Sequence, residues 1–282
     1  MAFREMLSQR LTDWHSQRLI QQSLAGEHDH LKDIHRQLMP NFIVIGAAKS
    51  ATTSLLTALD KHPSILISKH QEPKFFGRHY IRGWEWYAKQ FKGGENYRLR
   101  GEGSTMYTSS YQSYKHTPEL IKRHLGNIPL IYLVRHPLRR IESQWRHWRG
   151  RSKCPPFEQL IQSKGLQQRI IEASMYNKQL NRYRCFFPEE SILCMTTEEL
   201  IQSTSKSLKR ILRFLGAKPK VKPLLDGGQL PLKNRAGTKG RDDIPMPQWS
   251  EQLKQQTIDM IRPDSEAFLK AIGHPIDTWQ WD

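Results

Sequence analysis

The sequence predicts an α/β fold: a single P-loop-like domain with a central, mostly parallel sheet flanked by helices. Three observations predict it. Short apolar runs alternate with helical stretches along the chain, the order that gives a parallel sheet with helices on both faces. The two strongest runs, FIVI at residues 42–45 and IPLIYLV at 128–134, are unbroken rather than alternating, as in strands covered on both faces. Each leads into a basic turn and a helix start, and such sheets bind ligands at the carboxyl ends of their strands.

Residues 1–40 read as a helical N-terminal extension. Leu7, Leu11, Trp14, Leu19 and Ile20 form a weak helical stripe ending near Gly26, a second short helix is expected over 29–38, and Pro40 stops it. The extension could pack on the domain, bind a partner or mediate oligomerisation, and packing is favoured. The domain proper is expected over 41–282. After the first strand and a helix carrying Leu55, Leu56 and Leu59, His62-Pro63 breaks the chain and 65–68 reads as a strand. Glu72-Pro73-Lys74-Phe75-Phe76 forms a loop, 83–91 an amphipathic helix, 99–102 a strand running into GEGSTMY, and 119–125 a helix. The strand at 128–134 feeds RHPLRRIESQWRHW, a turn and a helix with proline in its first turn. A link at 150–156 precedes helices over 157–161 and 168–186, a strand over 191–196, and a helix over 206–215 closed by Gly216. Residues 218–247 are rich in Pro, Gly and Lys and read as a long functional or disordered loop. Ser250 is expected to cap a helix to Ile261, and Pro263 to open another to about Ile272.

Composition narrows the function. The 282 residues hold 44 Lys and Arg against 27 Asp and Glu, a net charge of +17. Such a charge suits polyanionic ligands, acidic surfaces or simply a soluble basic surface. Cys154, Cys185 and Cys194 are few, odd in number and without metal spacing, which argues against a disulfide scaffold and fits a reducing compartment. The N-terminus lacks the apolar core of a secretory signal, and no apolar run approaches the ~20 residues of a membrane span. A cytoplasmic protein is expected.

Two strand ends carry anion-ready chemistry. At the first, Gly46 allows a sharp turn, Lys49 adds a charge, and Ser50, Thr52, Thr53 and Ser54 add hydroxyls before a helix N-terminus. A nucleotide-hydrolase P-loop places glycine immediately before its lysine; here Ala48 precedes Lys49, and the loop is shorter. The plainer alternative is a tight turn with a solvated lysine. At the second end, Arg135, Arg139 and Arg140 cluster around Pro137, with Ser143 one turn on. Guanidinium groups bind phosphate bidentately, while an amphipathic helix with solvated arginines is the alternative.

Together these segments resemble the sulfotransferases that use 3′-phosphoadenosine 5′-phosphosulfate (PAPS). GAAKSATTSL resembles their phosphosulfate-binding loop, and RHPLRRIESQW their 3′-phosphate motif. HQEPKFF and GEGSTMY are similar to segments of the branch that includes the heparan sulfate sulfotransferases, and GTKGRDDIPMP to the Lys-Gly-Arg loop that closes over the cofactor. The matches run in order from about Phe42 to Pro247.

The resemblance implies roles. Ala48, Lys49, Ser50, Ala51, Thr52, Thr53 and Ser54 would hold the 5′-phosphosulfate, with Lys49 stabilising the departing phosphate. Arg135 and Ser143 would bind the 3′-phosphate, Lys239, Gly240 and Arg241 would cover the cofactor, and Glu72 would be the general base. Sulfuryl transfer resembles phosphoryl transfer, in which positioning and leaving-group stabilisation dominate. A base typically contributes 10²–10⁴-fold, roughly 3–5 kcal/mol. Buried among Phe75 and Phe76, a carboxylate would be tuned upward for that task. No metal-ligand constellation is present, and no metal is required. Four departures stand out: Gln71 where relatives carry lysine, Lys74 for histidine, Ala51 for glycine, and no cysteine pair around the Lys-Gly-Arg loop. The last fits a cytoplasmic, bacterial-type enzyme.

His70 is the best alternative base, and Glu102 is read either as an acceptor ligand or as an anchor for its loop. Trp84, Trp86, Trp145 and Trp148 are expected in the core or in a groove wall. The rival function is a P-loop-type nucleotide-dependent kinase or phosphotransferase, opposed by the lysine spacing and the lack of a magnesium-binding acid. A nucleic-acid-binding protein would explain the charge but has no recognised motif here. The acceptor is expected to be a small molecule or an oligosaccharide, and the sequence leaves its identity and the oligomeric state open.

Overall fold

The computed structural model describes residues 2–27, 29–30, 35–150, 154–163, 170–231 and 244–281. Its elements follow the expected order. Helix α1 spans Ala2–Leu24, then come β1 (Phe42–Gly46), α2 (Thr52–Asp60), β2 (Ile65–Ile67), α3 (Gly83–Ala88), β3 (Leu99–Gly103), α4 (Thr117–Leu125), β4 (Leu130–Val134) and α5 (Pro137–Arg149). The second half holds α6 (Phe157–Gln162), α7 (Tyr176–Arg184), β5 (Ile192–Thr196), α8 (Thr197–Gln202), α9 (Thr204–Phe214) and α10 (Glu251–Ala271). The five strands form one sheet ordered β2-β3-β1-β4-β5, and every pair is parallel.

Both faces of the sheet are buried, which explains the unbroken apolar runs. Successive side chains point to opposite faces. Phe42 and Val44 of β1 join Leu55, Leu56 and Leu59 of α2 and Leu208 and Ile211 of α9 in one core cluster. Ile43 and Ile45 face the other way, into a cluster with Phe75, Phe76, Tyr87, Tyr183 and Phe268. The same alternation explains the LRGEG of β3. A Cβ on Gly101 would lie 2.0 Å from the Phe42 ring, and one on Gly103 would lie 2.3 Å from Leu56. Glu102, between them, enters the aromatic layer on the opposite face.

The N-terminal helix packs on the rest of the chain. Ile20 is buried in the aromatic cluster, Ser16 donates to the Arg78 carbonyl at 2.8 Å, and Ser23 meets His124 at 2.7 Å. Of the helix expected over 29–38, the described part is a 3-10 turn at Arg36–Leu38. The link at 150–156 lies partly outside the described residues, but Cys154 at its end is buried.

Two helices differ from expectation. The stretch expected as one helix over 168–186 is broken: a 3-10 turn at Glu172–Ser174 gives way to α7, with Met175 at φ −84° and ψ 78° between them. Asp264 caps α7 from another element, accepting from the amides of Asn177 (3.0 Å) and Lys178 (2.8 Å). Conversely, the two helices expected around Pro263 are one, α10. Pro263 lies on its exposed face. The Asp259 carbonyl, deprived of its partner, can therefore meet water, while Ile258, Ile261, Phe268 and Leu269 stay buried on the other side. Pro263→Ala should therefore stabilise the protein, by about 1–3 kcal/mol. Urea unfolding measures this, and an unchanged or lower midpoint would contradict it.

Candidate active site

The carboxyl ends of β3, β1 and β4 stand side by side, about 5 Å apart per strand. β1 and β4 lead into the two basic turns singled out from sequence, and β3 into the GEGSTMY segment. The loop after β1 is shaped by its neighbours. Ala47 N–H bonds the Leu133 carbonyl of β4 at 2.5 Å, and a Cβ on Gly46 would lie 2.1 Å from Thr108 Oγ1, so only glycine fits. Lys49 (φ 71°) and Ala51 (φ 59°) then adopt left-handed backbone, which costs a non-glycine residue roughly 1–2 kcal/mol. Ala51 thus occupies a conformation that suits glycine, the residue of the resembled loop.

Helix α2 begins directly after that turn. Ala51 is its N-cap and contributes no side-chain cap, so the first-turn amides of Thr52, Thr53 and Ser54 receive no capping side chain. Ser50 is fully buried, and its Oγ has no hydrogen-bond partner among the described residues. Ala48, Lys49 and Thr53 are half-buried, and Thr52 and Ser54 buried. Thr197, at the start of α8, donates to both the Ser50 carbonyl (3.1 Å) and the Val134 carbonyl (2.8 Å), tying this loop to the end of β4. An orphaned hydroxyl, uncapped amides and a lysine suit a group with several anionic oxygens.

The second basic cluster divides. Arg135 is half-buried, and its guanidinium has no hydrogen bond or ion pair to a described residue. Its carbonyl is held by Tyr176 Oη at 2.6 Å, and the following amide, of His136, by Glu198 at 3.0 Å. Ser143 lies half-buried two turns into α5. Arg140, grouped with them from sequence, is instead fully buried: it donates to Ser174 Oγ at 2.6 Å and to the Ile170 carbonyl. Arg139 pairs with Glu142 at 3.3 Å.

Glu72 differs from the expected buried base. Phe75 and Phe76 turn away into the core, where Phe75 stacks on Tyr87 at 4.2 Å, and the Glu72 side chain stays 33% exposed. Its Oε1 accepts from Thr105 Oγ1 at 2.8 Å, and its Oε2 pairs with Lys74 Nζ at 3.1 Å. The lysine read as a departure at position 74 is thus the charge beside the carboxylate. The loop is pinned again where His79 Nδ1 meets the Pro73 carbonyl at 2.7 Å. Beyond it lies a partly exposed indole, Trp86, with the Arg82 guanidinium 4.6 Å from its ring and the His70 and His79 rings each 6.0 Å away. Trp84 and Trp145 are core residues.

Glu102 is fully buried and accepts from Tyr87 Oη (2.9 Å), Tyr107 Oη (2.8 Å) and Ser104 Oγ (2.5 Å). Burial pushes its carboxyl up to about 7 against these three donors. The anchoring reading of this residue is the one the hydrogen bonds match. Lys239, Gly240 and Arg241 lie outside the described residues. The chain resumes on α5, where Arg146 donates to the Ile244 carbonyl at 3.1 Å and Trp249 Nε1 to Glu142 at 3.0 Å. Thr197 and Tyr176 were missed from sequence. For Thr197 there was a signal, the capping box Thr196–Glu199, in which Thr196 Oγ1 accepts from the Glu199 amide at 3.0 Å.

Comparisons with known proteins agree with this architecture. The family model for the sulfotransferase domain matches residues 39–227. A membrane-associated sulfotransferase, kil1, of Dictyostelium discoideum is 40% identical over 126 residues, covering 43% of this chain and 26% of the relative. Heparan sulfate glucosamine 3-O-sulfotransferase 5 of Mus musculus is 28% identical over 209 residues, covering 70% of this chain and 59% of the relative. The chain therefore spans less than two thirds of the length of either. A crystal structure of a sulfotransferase from Alicyclobacillus acidocaldarius shares the fold, with a TM-score of 0.69 at 20% identity over 86% of this chain and 98% of the other. Among the described residues no helix is long and apolar enough to cross a membrane.

Gly46→Ala tests the close packing at the loop. It should lower stability by about 1–3 kcal/mol, and Thr108→Ala in the same chain should restore part of the loss in a thermal-denaturation cycle. Additive effects would show that the two sites do not touch.

Proposed function

This chain belongs to the sulfotransferase family, and on that premise we propose that it moves a sulfuryl group from PAPS to a hydroxyl or amine of a carbohydrate or small natural-product acceptor. The observation that carries this reading is the pair of anion sites on adjacent strands: the Ser50 loop after β1 and the Arg135 turn after β4, tied together by Thr197. One ligand with anionic groups at two ends suits such a pair better than a single phosphate does. The donor, when bound, supplies an SO3 group for in-line transfer and departs as adenosine 3′,5′-bisphosphate.

The chain's own residues do the rest. The loop 48–54, through Ser50, Thr52, Thr53 and its amides, holds the 5′-phosphosulfate, and Lys49 offsets the charge that grows on the leaving phosphate oxygen. Arg135 and Ser143 hold the 3′-phosphate. Lys239, Gly240 and Arg241 cover it; in support, Arg146 grips the Ile244 carbonyl one turn along α5 from Ser143. Three residues from Arg241 to Ile244 reach at most about 11 Å. Glu72 takes the acceptor proton, oriented by Thr105 and Lys74. The acceptor lies over Trp86 and Arg82, an aromatic face and a cation that suit a sugar or an anionic small molecule. Cys154, Cys185 and Cys194 form no disulfide, which supports a reducing, cytoplasmic setting.

Titration with adenosine 3′,5′-bisphosphate against ATP with magnesium tests the donor, and preference for ATP would sink the reading. Arg135→Ala should weaken the bisphosphate by roughly 10–150-fold, the 1.5–3 kcal/mol of hydrogen bonds to a charged group, with little effect on adenosine 5′-phosphate. A screen of sugars, amines and alcohols with labelled donor identifies the acceptor. With it, Glu72→Gln should cut turnover roughly 10²–10⁴-fold at unchanged bisphosphate affinity, whereas Lys49→Ala should lose both. Near-normal turnover in Glu72→Gln would remove Glu72 as the base.

A further inference from the structure

Behind Glu72 lies a second carboxylate that the transfer itself does not use. Glu102 is fully buried, and no cation pairs with it among the described residues. Two of its three donors do double duty. Ser104 Oγ donates to Glu102 and accepts from the Lys74 amide at 2.8 Å. Tyr107 Oη donates to Glu102 and accepts from the Phe76 amide at 3.1 Å. Lys74 and Phe76 belong to the segment that begins with Glu72, and Lys74, the residue that pairs with it, sits at φ 54°. A non-glycine residue holds that conformation only when its surroundings impose it.

We infer that Glu102, in its ionised form, is a positioning residue that sets the direction of these hydrogen bonds and thereby holds the Glu72–Phe76 segment in the shape that presents Glu72 to the acceptor. Each hydroxyl has a single proton. An ionised Glu102 takes the protons of Ser104, Tyr107 and Tyr87, leaving the oxygen lone pairs of Ser104 and Tyr107 for the two amides. A protonated Glu102 must donate to one of these oxygens; where that oxygen is Ser104 Oγ or Tyr107 Oη, the hydroxyl has to send its own proton elsewhere and share its lone pairs between the carboxyl and the amide. The segment is then held by fewer well-directed bonds.

The charged and titratable groups around Glu102 come from four elements and loops. Tyr87 lies on α3, Tyr107 follows β3, Tyr183 lies on α7, and Glu72 with Lys74 lies on the loop after β2. Burial raises all three tyrosine hydroxyls above their ordinary range, so they stay neutral donors. Glu72 adds repulsion that raises Glu102 further. Beside these neutral tyrosines, Glu102 changes charge near neutrality, at about 7. The linkage has a definite sign. The carboxyl ionises in the unfolded chain from 4.5 upward but in the folded chain only near 7, so its contribution to stability falls as pH rises through that window. The form that holds the segment is the form that costs stability.

This inference rests on the sulfotransferase reading for its consequence but not for its primary test, which needs neither donor nor acceptor. Amide hydrogen exchange on the full chain, corrected for intrinsic rates, reads the Lys74 and Phe76 N–H groups directly. In the unsubstituted protein their protection should rise about tenfold, the size of one hydrogen bond, as pH passes upward through 7. In Glu102→Gln it should be low and flat, with the β1 and β4 amides unchanged and the affinity for adenosine 3′,5′-bisphosphate within about twofold. The stability loss between pH 4.5 and about 7 should also shrink in Glu102→Gln. With an acceptor, turnover of the unsubstituted protein should rise through pH 7, and Glu102→Gln should lose that limb with a lowered kcat and little change in donor KM. Ser104→Ala gives a milder check should Glu102→Gln not fold: the Lys74 amide should lose protection while that of Phe76 keeps it. Unchanged protection at Lys74 and Phe76 in Glu102→Gln, or in Ser104→Ala at Lys74, would overturn the inference. Failure of the bisphosphate to bind the unsubstituted protein would instead strike the sulfotransferase reading.

Discussion

Strand β1 has no free edge and no free face. β3 and β4 occupy its two sides, and all five of its residues are buried. Its backbone pairs with both neighbours up to Val44, with a register shift against β4 just before Gly46. All the polarity that this strand can offer a ligand therefore leaves at one point, its carboxyl end. There the chain must turn within a few residues beneath α2. The neighbours enforce the turn: Thr108 crowds Gly46, the Leu133 carbonyl takes the Ala47 amide, and Thr197 grips the Ser50 carbonyl. Left-handed backbone at Lys49 and Ala51 persists because these contacts over-determine it. Lys49, the orphaned Ser50 hydroxyl and the uncapped start of α2 owe their places in one short turn to that constraint.

What the sequence could and could not reveal follows from the same physics. Strands buried on both faces favour apolar runs, so β1, β4 and β5 were legible to within two residues. Helix starts were legible where a proline or a strand end marked them, as at α5. Pro263 misled because its effect depends on exposure: on a wetted face a proline leaves a helix unbroken when the opposite face is well packed. Arg140 misled because guanidinium groups are equally good ligands for phosphate and for carbonyl oxygens, and only packing decides between them. The surroundings of Glu72 depended on which way Phe75 and Phe76 turn, and no local pattern sets that direction. Nor could spacing reveal that Lys74 pairs with Glu72, or that Ser104 and Tyr107 serve two partners each.

The excess of positive charge has a related explanation. A net charge of +17 invites a search for a polyanion. Several arginines are instead committed to backbone. Arg100 serves the carbonyls of Met39, Gly94 and Tyr97, and Arg182 those of Ser109, Tyr114 and Lys115. Arg146 and Arg149 serve Ile244 and Cys154. Loops that cross a crowded sheet end leave carbonyls without helix or strand partners, and a guanidinium with five donors can collect several of them at once. Part of the charge is therefore a consequence of how the loops are held. Arg135, which has no such bond to a described residue, is the arginine proposed above to meet a ligand.

The two carboxylates Glu72 and Glu102 illustrate how position gives identical side chains different surroundings. Glu72 is a third exposed and is flanked by the Thr105 hydroxyl and the Lys74 ammonium. Glu102, sealed beneath it and fed by three hydroxyls, can exchange its proton only by disturbing the bonds that hold the Glu72 segment. Replacing Glu102 by an apolar residue would remove a buried charge and, by area alone, should favour the fold. It would also leave the Ser104 and Tyr107 protons without an acceptor, and with them the aim of the two hydroxyls that hold Lys74 and Phe76. The fold therefore carries a costly buried acid beneath a loop whose backbone at Lys74 is left-handed, and the cost is greatest at the pH where that acid is charged.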